Sequence, residues 1–79
     1  MQVDHADIRC MKIGRELKNG REAAGITQGE LAEKAQLHRT YISQLEHDLK
    51  MPSLDVFIRL CRAMKISPAT MITRIEKSN

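Results

Sequence analysis

From Gln28 to His47 the chain reads QGELAEKAQLHRTYISQLEH, and this stretch constrains the fold more than any other. Leu31, Ala32, Ala35, Ile42 and Leu45 recur at helical spacing, interrupted once by Gln36-Leu37-His38. Such a pattern predicts two short helices joined by a tight turn, each burying one face. Ala32 is small where the second helix must cross the first closely, because a larger side chain would push the pair apart. The second helix opens with Arg39-Thr40-Tyr41, polar groups at its first turn. The expectation is a helix-turn-helix, in which the second helix lies in the DNA major groove with its N-terminal side chains at base edges.

The flanking sequence completes an all-α bundle of five helices in a single domain, residues 1–79. A first helix is expected from about Asp7 to Ala24, capped by Asp4 or Asp7, with Ile13, Leu17 and Ala24 on one face. Gly20 falls inside it and costs about 1 kcal/mol of helix propensity, while Gly25 ends it. Thr27 and Glu30 have the spacing of a capping box for helix two. Helix three spans about Arg39 to His47, with Ile42 and Leu45 inward and residues 39, 40, 43 and 44 outward. Asp48 to Pro52 reads as a loop. Ser53 caps a fourth helix that reaches about Met64 with Leu54, Phe57, Leu60, Cys61 and Met64 inward. Ser67-Pro68 supplies an N-cap and a first-turn proline for a fifth, carrying Met71, Ile72 and Ile75 before fraying at Lys77-Ser78-Asn79.

With 79 residues, one Phe, one Tyr and no Trp, the core must be aliphatic. That suits a helical bundle better than a β-sandwich. A chain this short buries only roughly 60–65% of its unfolded surface, which favours dimerisation as added support. No run approaches the length of a transmembrane span, and MQVDHADIR has acids where a signal peptide needs bases, so a cytoplasmic location is expected. Cys10 and Cys61 form no metal or redox spacing and read as buried thiols in a reducing compartment rather than as a sensor pair. Net charge is +3, and residues 27–52 carry three bases against four acids. No basic patch points to nucleic acid; the residue spacing alone does.

These residues resemble the Cro/repressor-type (XRE-like) helix-turn-helix regulators, whose fold is a compact, lambda-repressor-like five-helix domain. The shared pattern runs from Ile13 to about Met71. It comprises Arg21, Gly25-Ile26-Thr27-Gln28, Leu31-Ala32, Tyr41-Ile42-Ser43, Leu45-Glu46, Pro52-Ser53-Leu54 and Ile66-Ser67-Pro68. Within that family, Leu37 to Ser43 is similar to the small dimeric controller proteins of restriction–modification systems. The chain departs from the pattern at Gln36, Asp48 and Lys65, where turn glycines are usual, and at Gly20, where Leu is usual. A non-glycine residue in the left-handed region costs roughly 1–2 kcal/mol, so different bends at 36 and 65 are expected. The resemblance also implies a salt bridge between Arg21 and Glu46, tying helix one to the end of helix three.

Base reading is assigned to the exposed start of helix three. Arg39 can pair bidentately with guanine, a contact worth about 1–3 kcal/mol of discrimination, or it can simply balance nearby acids. Thr40 suits a base or a thymine methyl, Gln44 suits adenine, and Ser43 suits a base or a phosphate. Tyr41 fits either the core edge or DNA. Phosphate anchoring is assigned to the start of helix two at Thr27 and Gln28, to Lys50, to His38 (alternatively a helix cap) and to Arg21. Lys34, Lys18 and Arg15 read as ordinary solvated charges. Met64, Ile66, Met71, Ile72 and Ile75 on helices four and five are assigned to a two-fold dimer interface. Such a dimer sets its recognition helices about 34 Å apart on a pseudo-palindromic operator.

The leading function is therefore a homodimeric, sequence-specific transcriptional regulator, with Glu46, His47 and Asp48 as a candidate contact for RNA polymerase. An antitoxin or protein-interaction module is the alternative. An enzyme is not expected: His5, His38 and His47 lack carboxylate or cysteine partners for a metal or nucleophile site, and no Gly-rich phosphate loop exists. No cofactor or metal is expected, nor a small-molecule effector, because so small a core leaves no room for a pocket of several hundred Å³.

Overall fold

The computed structural model describes residues 12–78. The proposed caps Asp4 and Asp7, the residues His5 and Cys10, and helix one before residue 12 lie outside them. Five helices follow in order: α1 (Ile13–Ala23), α2 (Gln28–Ala35), α3 (Arg39–Glu46), α4 (Leu54–Ala63) and α5 (Pro68–Lys77). Helix α3 packs against α1 and α2, α4 against α2, and α5 closes the bundle against α1 and α4. Leu17, Leu31, Ile42, Leu45, Leu60, Cys61 and Met71 form the fully buried centre. The core is aliphatic and thioether-rich, as the composition required.

Helix starts follow the local chemistry. Thr27 Oγ1 accepts from the Glu30 amide at 3.1 Å, and Glu30 Oε1 accepts from the Thr27 amide at 2.8 Å, a complete capping box. Ser53 Oγ accepts from the Val56 amide at 3.2 Å. Ser67 occupies the N-cap position of α5 without a side-chain bond, and Pro68 at the first turn fixes that start instead.

Four helices end in one motif, with a residue in the left-handed region and two backbone bonds reaching back over the last turn. Those residues are Gly25 (φ 74°), Gln36 (φ 59°), Asp48 (φ 58°) and Lys65 (φ 58°). At each, the next amide bonds the carbonyl five residues back: Ile26 to Arg21, Leu37 to Ala32, Leu49 to Gln44 and Ile66 to Cys61. Gln36 and Lys65 therefore bend as glycine would, contrary to the expectation of different turns. Tertiary packing overrides a local penalty of about 1–2 kcal/mol at each.

Other sequence expectations are also corrected. Ala24, at the end of α1, is exposed. Leu54 is the first residue of α4 and points to solvent, because a helix-opening position precedes the turn that contacts the core. Gly20 is buried beneath Met64 and Met71. A Cβ there would stand 2.9 Å from Met71 Cε and 3.3 Å from Met64 Sδ, so two flexible thioethers fill the volume a larger residue would take.

Candidate nucleic-acid interface

Helix α3 is held at its C-terminal end by α1. Gly14 has no side chain because the backbone of α3 passes directly over it: a Cβ would lie 2.5 Å from the carbonyl oxygens of both Leu45 and Glu46. Lys12 sits at the N-cap of α1 and makes no side-chain cap. Asp48, from the turn after α3, caps α1 instead, its Oδ1 accepting from the Gly14 amide at 2.9 Å. A left-handed residue thus serves both as the stop of one helix and as the cap of another.

Beside this contact, Arg21 Nε donates to Glu46 Oε2 at 2.6 Å and Arg21 Nη2 to Glu46 Oε1 at 3.1 Å. The pair is the salt bridge implied by the resemblance, with side chains only 11% and 2% exposed. Arg21 Nη1 donates to the Ile26 carbonyl at 3.0 Å, and Gln28 Nε2 donates to Glu46 Oε1 at 3.0 Å. The hydrogen bond to Glu46 raises the Arg21 pKa above its ordinary value against the opposing effect of burial. One carboxylate therefore joins α1, the start of α2 and the end of α3.

This network bears on several assigned roles. Arg21 directs Nε and Nη2 to Glu46 and Nη1 to the Ile26 carbonyl, while Gln28 gives one amide hydrogen to Glu46 and keeps part of its side chain exposed. Thr27 uses its amide and one acceptor position of its hydroxyl in the capping box, and its O–H remains free to donate from an exposed position. The amides of Gln28 and Gly29, one step further on, have no hydrogen bond among the described residues and carry the positive end of the α2 dipole. Glu46 is buried and Asp48 Oδ1 accepts from the Gly14 amide, while His47 and Asp48 themselves stay exposed at the end of α3. His47 donates from Nδ1 to the Ser43 carbonyl at 2.8 Å.

At the other end of α3, Arg39 and Thr40 are exposed and have no hydrogen bond or ion pair among the described residues. The stem of Arg39 runs close to Gly29, where a Cβ would stand 3.8 Å from Arg39 Cδ. Ser43 and Gln44 are half-buried on the same outer side, and Tyr41 packs on the core edge with part of its surface open. His38, at the N-cap of α3 without a side-chain cap, is exposed, as is Lys50.

Met64 and Met71 belong to the chain's own core and have almost no surface to give a partner, contrary to their assignment to a dimer interface, whereas Ile75, also in the core, lines the floor of a surface groove. Ile66 is half-buried against the core. Ile72 remains outward at 50% exposure, joined by Leu49 (73%), Leu54 (70%) and Met51 (55%). Met51, Leu54 and Ile72 border an open groove of about 410 Å³, lined also by Ile13, Phe57 and Ile75 among others. Two residues escaped the sequence reading: Gly14, a glycine inside a helix with no local reason to be there, and Arg59, whose partners on α2 and its turn are backbone carbonyls that leave no sequence pattern.

Among the described residues no cluster of His, Cys, Asp and Glu has the makings of a metal site. No helix among them is long and apolar enough to cross a membrane.

The chain is similar to the HTH-type transcriptional regulator ImmR of Bacillus subtilis, at 32% identity over 86% of this chain and 54% of that protein. It is also similar to the immunity repressor protein of Bacillus phage phi105, at 34% identity over 78% of this chain and 43% of that one. It therefore spans about half the length of the curated relatives it matches. Among solved structures, the clp gene regulator ClgR of Corynebacterium glutamicum superposes with a TM-score of 0.82 at 30% identity, covering 90% of this chain and 91% of that one. The restriction–modification controller protein C.AhdI of Aeromonas hydrophila gives 0.75 at 30% identity, over 81% and 97%. The biofilm regulator SinR in complex with DNA gives 0.71 at 31% identity, over 76% and 97%. Residues 17–71, most of the chain, match the model of the HTH_3 helix-turn-helix family, and the chain belongs to that family.

Proposed function

We propose that the chain is a sequence-specific DNA-binding transcriptional regulator that acts as a homodimer on a pseudo-palindromic operator. The observation that carries this reading is the state of Arg39 and Thr40. They stand exposed and unpaired at the first turn of a helix whose far end is locked by Gly14, Asp48 and the Arg21–Glu46–Gln28 network. Rigid support for free donors at a helix start suits base-edge recognition. Tyr41, Ser43 and Gln44 extend that surface. The free amides of Gln28 and Gly29, with His38 and Lys50, serve the phosphates. SinR, solved with DNA, has the same fold, which supports the assignment.

A second copy of the chain is the occupant proposed for the apolar groove. Met51, Leu54 and Ile72 line it where the loop after α3 leads into α4, and that loop leaves the end of α3 opposite to the first turn that carries Arg39 and Thr40. No catalytic role, cofactor or effector enters this reading, and its site is the cytoplasm.

Selection from random duplexes tests it. The parent protein is expected to enrich a two-fold related sequence, and Arg39→Ala to relax the preference at one base pair per half-site by about tenfold. Enrichment of no sequence refutes direct reading. Uniform weakening by Arg39→Ala makes that residue a phosphate contact instead.

A further inference from the structure

We infer that Arg59, on α4 and away from the helix-turn-helix itself, is a positioning residue that fixes the angle of α3 by holding the α2–α3 turn. The inference rests on the DNA-reading role proposed for α3. Arg59 Nη2 donates to the Ala35 carbonyl at 2.7 Å and to the Gln36 carbonyl at 3.0 Å, and Nε donates to Ala35 at 3.2 Å. The two backbone bonds of the turn use the carbonyls of Ala32 and Glu33. The turn's own backbone bonds leave the carbonyls of Ala35 and Gln36 unsatisfied. Among the described residues, none of the turns at Gly25, Asp48 and Lys65 has a side-chain donor on the equivalent pair.

The turn also needs holding. Gln36 sits at φ 59°, ψ 48°, a conformation that a side chain disfavours and that glycine takes freely. Only Leu37 and His38 separate it from Arg39, so a change of bend at 36 is passed directly to the recognition helix. Base contacts tolerate displacements of only about 0.5 Å. Asp55 steadies the guanidinium from its own helix, at 3.3 Å from Nη1. The specificity of α3 thereby depends on a side chain that touches neither α3 nor, in the proposed reading, DNA.

The test uses Arg59→Met, which keeps the aliphatic stem and removes the donors, and Arg59→Lys, which keeps the charge but not the fork. Both are expected to lower the ratio of operator to random-duplex affinity at least tenfold, with random-duplex affinity and its salt dependence unchanged. Adding Gln36→Gly to Arg59→Met is expected to restore most of that ratio, because glycine adopts the turn unaided. Amide exchange gives a readout that needs no DNA. The Leu37 amide, bonded to Ala32 at 2.8 Å, should exchange at least tenfold faster in Arg59→Met, with Ile66 in the matching α4–α5 turn unchanged. An unaltered ratio, equal acceleration at Leu37 and Ile66, or uniformly weaker binding with a reduced salt slope overturns the inference. If the parent protein prefers no duplex, the reading of α3 fails, and exchange at Leu37 still decides whether Arg59 holds the turn.

Discussion

Gly14→Ala sets two physical effects of opposite sign against each other. Helix propensity alone favours Ala over Gly by about 1 kcal/mol, so an isolated α1 would gain stability. The tertiary structure predicts a loss. The new Cβ stands 2.5 Å from two carbonyl oxygens of α3, against 3.4 Å for an ordinary contact, so α1 must withdraw by about 0.9 Å. Carbonyl groups of a packed helix cannot rotate aside as a side-chain tip can. Withdrawal stretches the 2.9 Å bond from the Gly14 amide to Asp48 beyond hydrogen-bonding range. Overpacking costs about 1–3 kcal/mol and the lost bond about 0.5–1.5 kcal/mol. After the gain in propensity, the net destabilisation is about 0.5–3.5 kcal/mol, a substantial share of the roughly 4–12 kcal/mol available to a chain of this length. Urea unfolding followed by circular dichroism at 222 nm measures it. A variant as stable as the parent, or more so, would show that the α1–α3 approach is not close enough to matter and would refute the reasoning.

Arg21→Met strands the Glu46 carboxylate in a buried position and should cost about 3–5 kcal/mol, most of it recovered in the double variant with Glu46→Leu; a single variant with an unchanged urea midpoint removes the network from the account. Burial pushes the Cys61 thiol from 9.0 up to about 11. Below pH 9 both states keep the proton and stability is unaffected. Above it the unfolded chain ionises first, so stability should fall by about 1.4 kcal/mol per pH unit until about pH 11. Cys61→Ala should lack that component, and equal pH profiles for the two proteins would contradict it. Leu54→Glu with Ile72→Glu alters exposed positions, so monomer stability should stay within about 0.5 kcal/mol while sedimentation at micromolar concentration shifts from dimer to monomer. An unshifted dimer would move the interface elsewhere.

Local rules decided where the helices of this chain begin and most of their inward faces. Thr27 with Glu30, Ser53 and Pro68 act within a few residues of themselves, and Leu31, Ala32, Ala35, Ile42 and Leu45 follow helical spacing, so all were legible before any coordinates. The exposed Arg39 and Thr40 were legible for the same reason. What could not be read was which of several outward or inward candidates a neighbouring helix would claim. Met71 and Ile75 look alike with Ile72 in sequence, yet α1 and α4 bury the first two and leave the third. Gln28 and Asp48 carry free donors or acceptors in sequence, and only the docking of α3 beside α2 and α1 gives Gln28 its bond to Glu46 and Asp48 its bond to Gly14. Gln36 and Lys65 disfavour their turns locally and adopt them because the packed helices fix where each next segment must start. Short-range hydrogen bonding and side-chain period are properties of neighbouring residues. The destinations of polar groups and the strain a turn will bear depend on contacts across the bundle, and those exist only once the helices have docked.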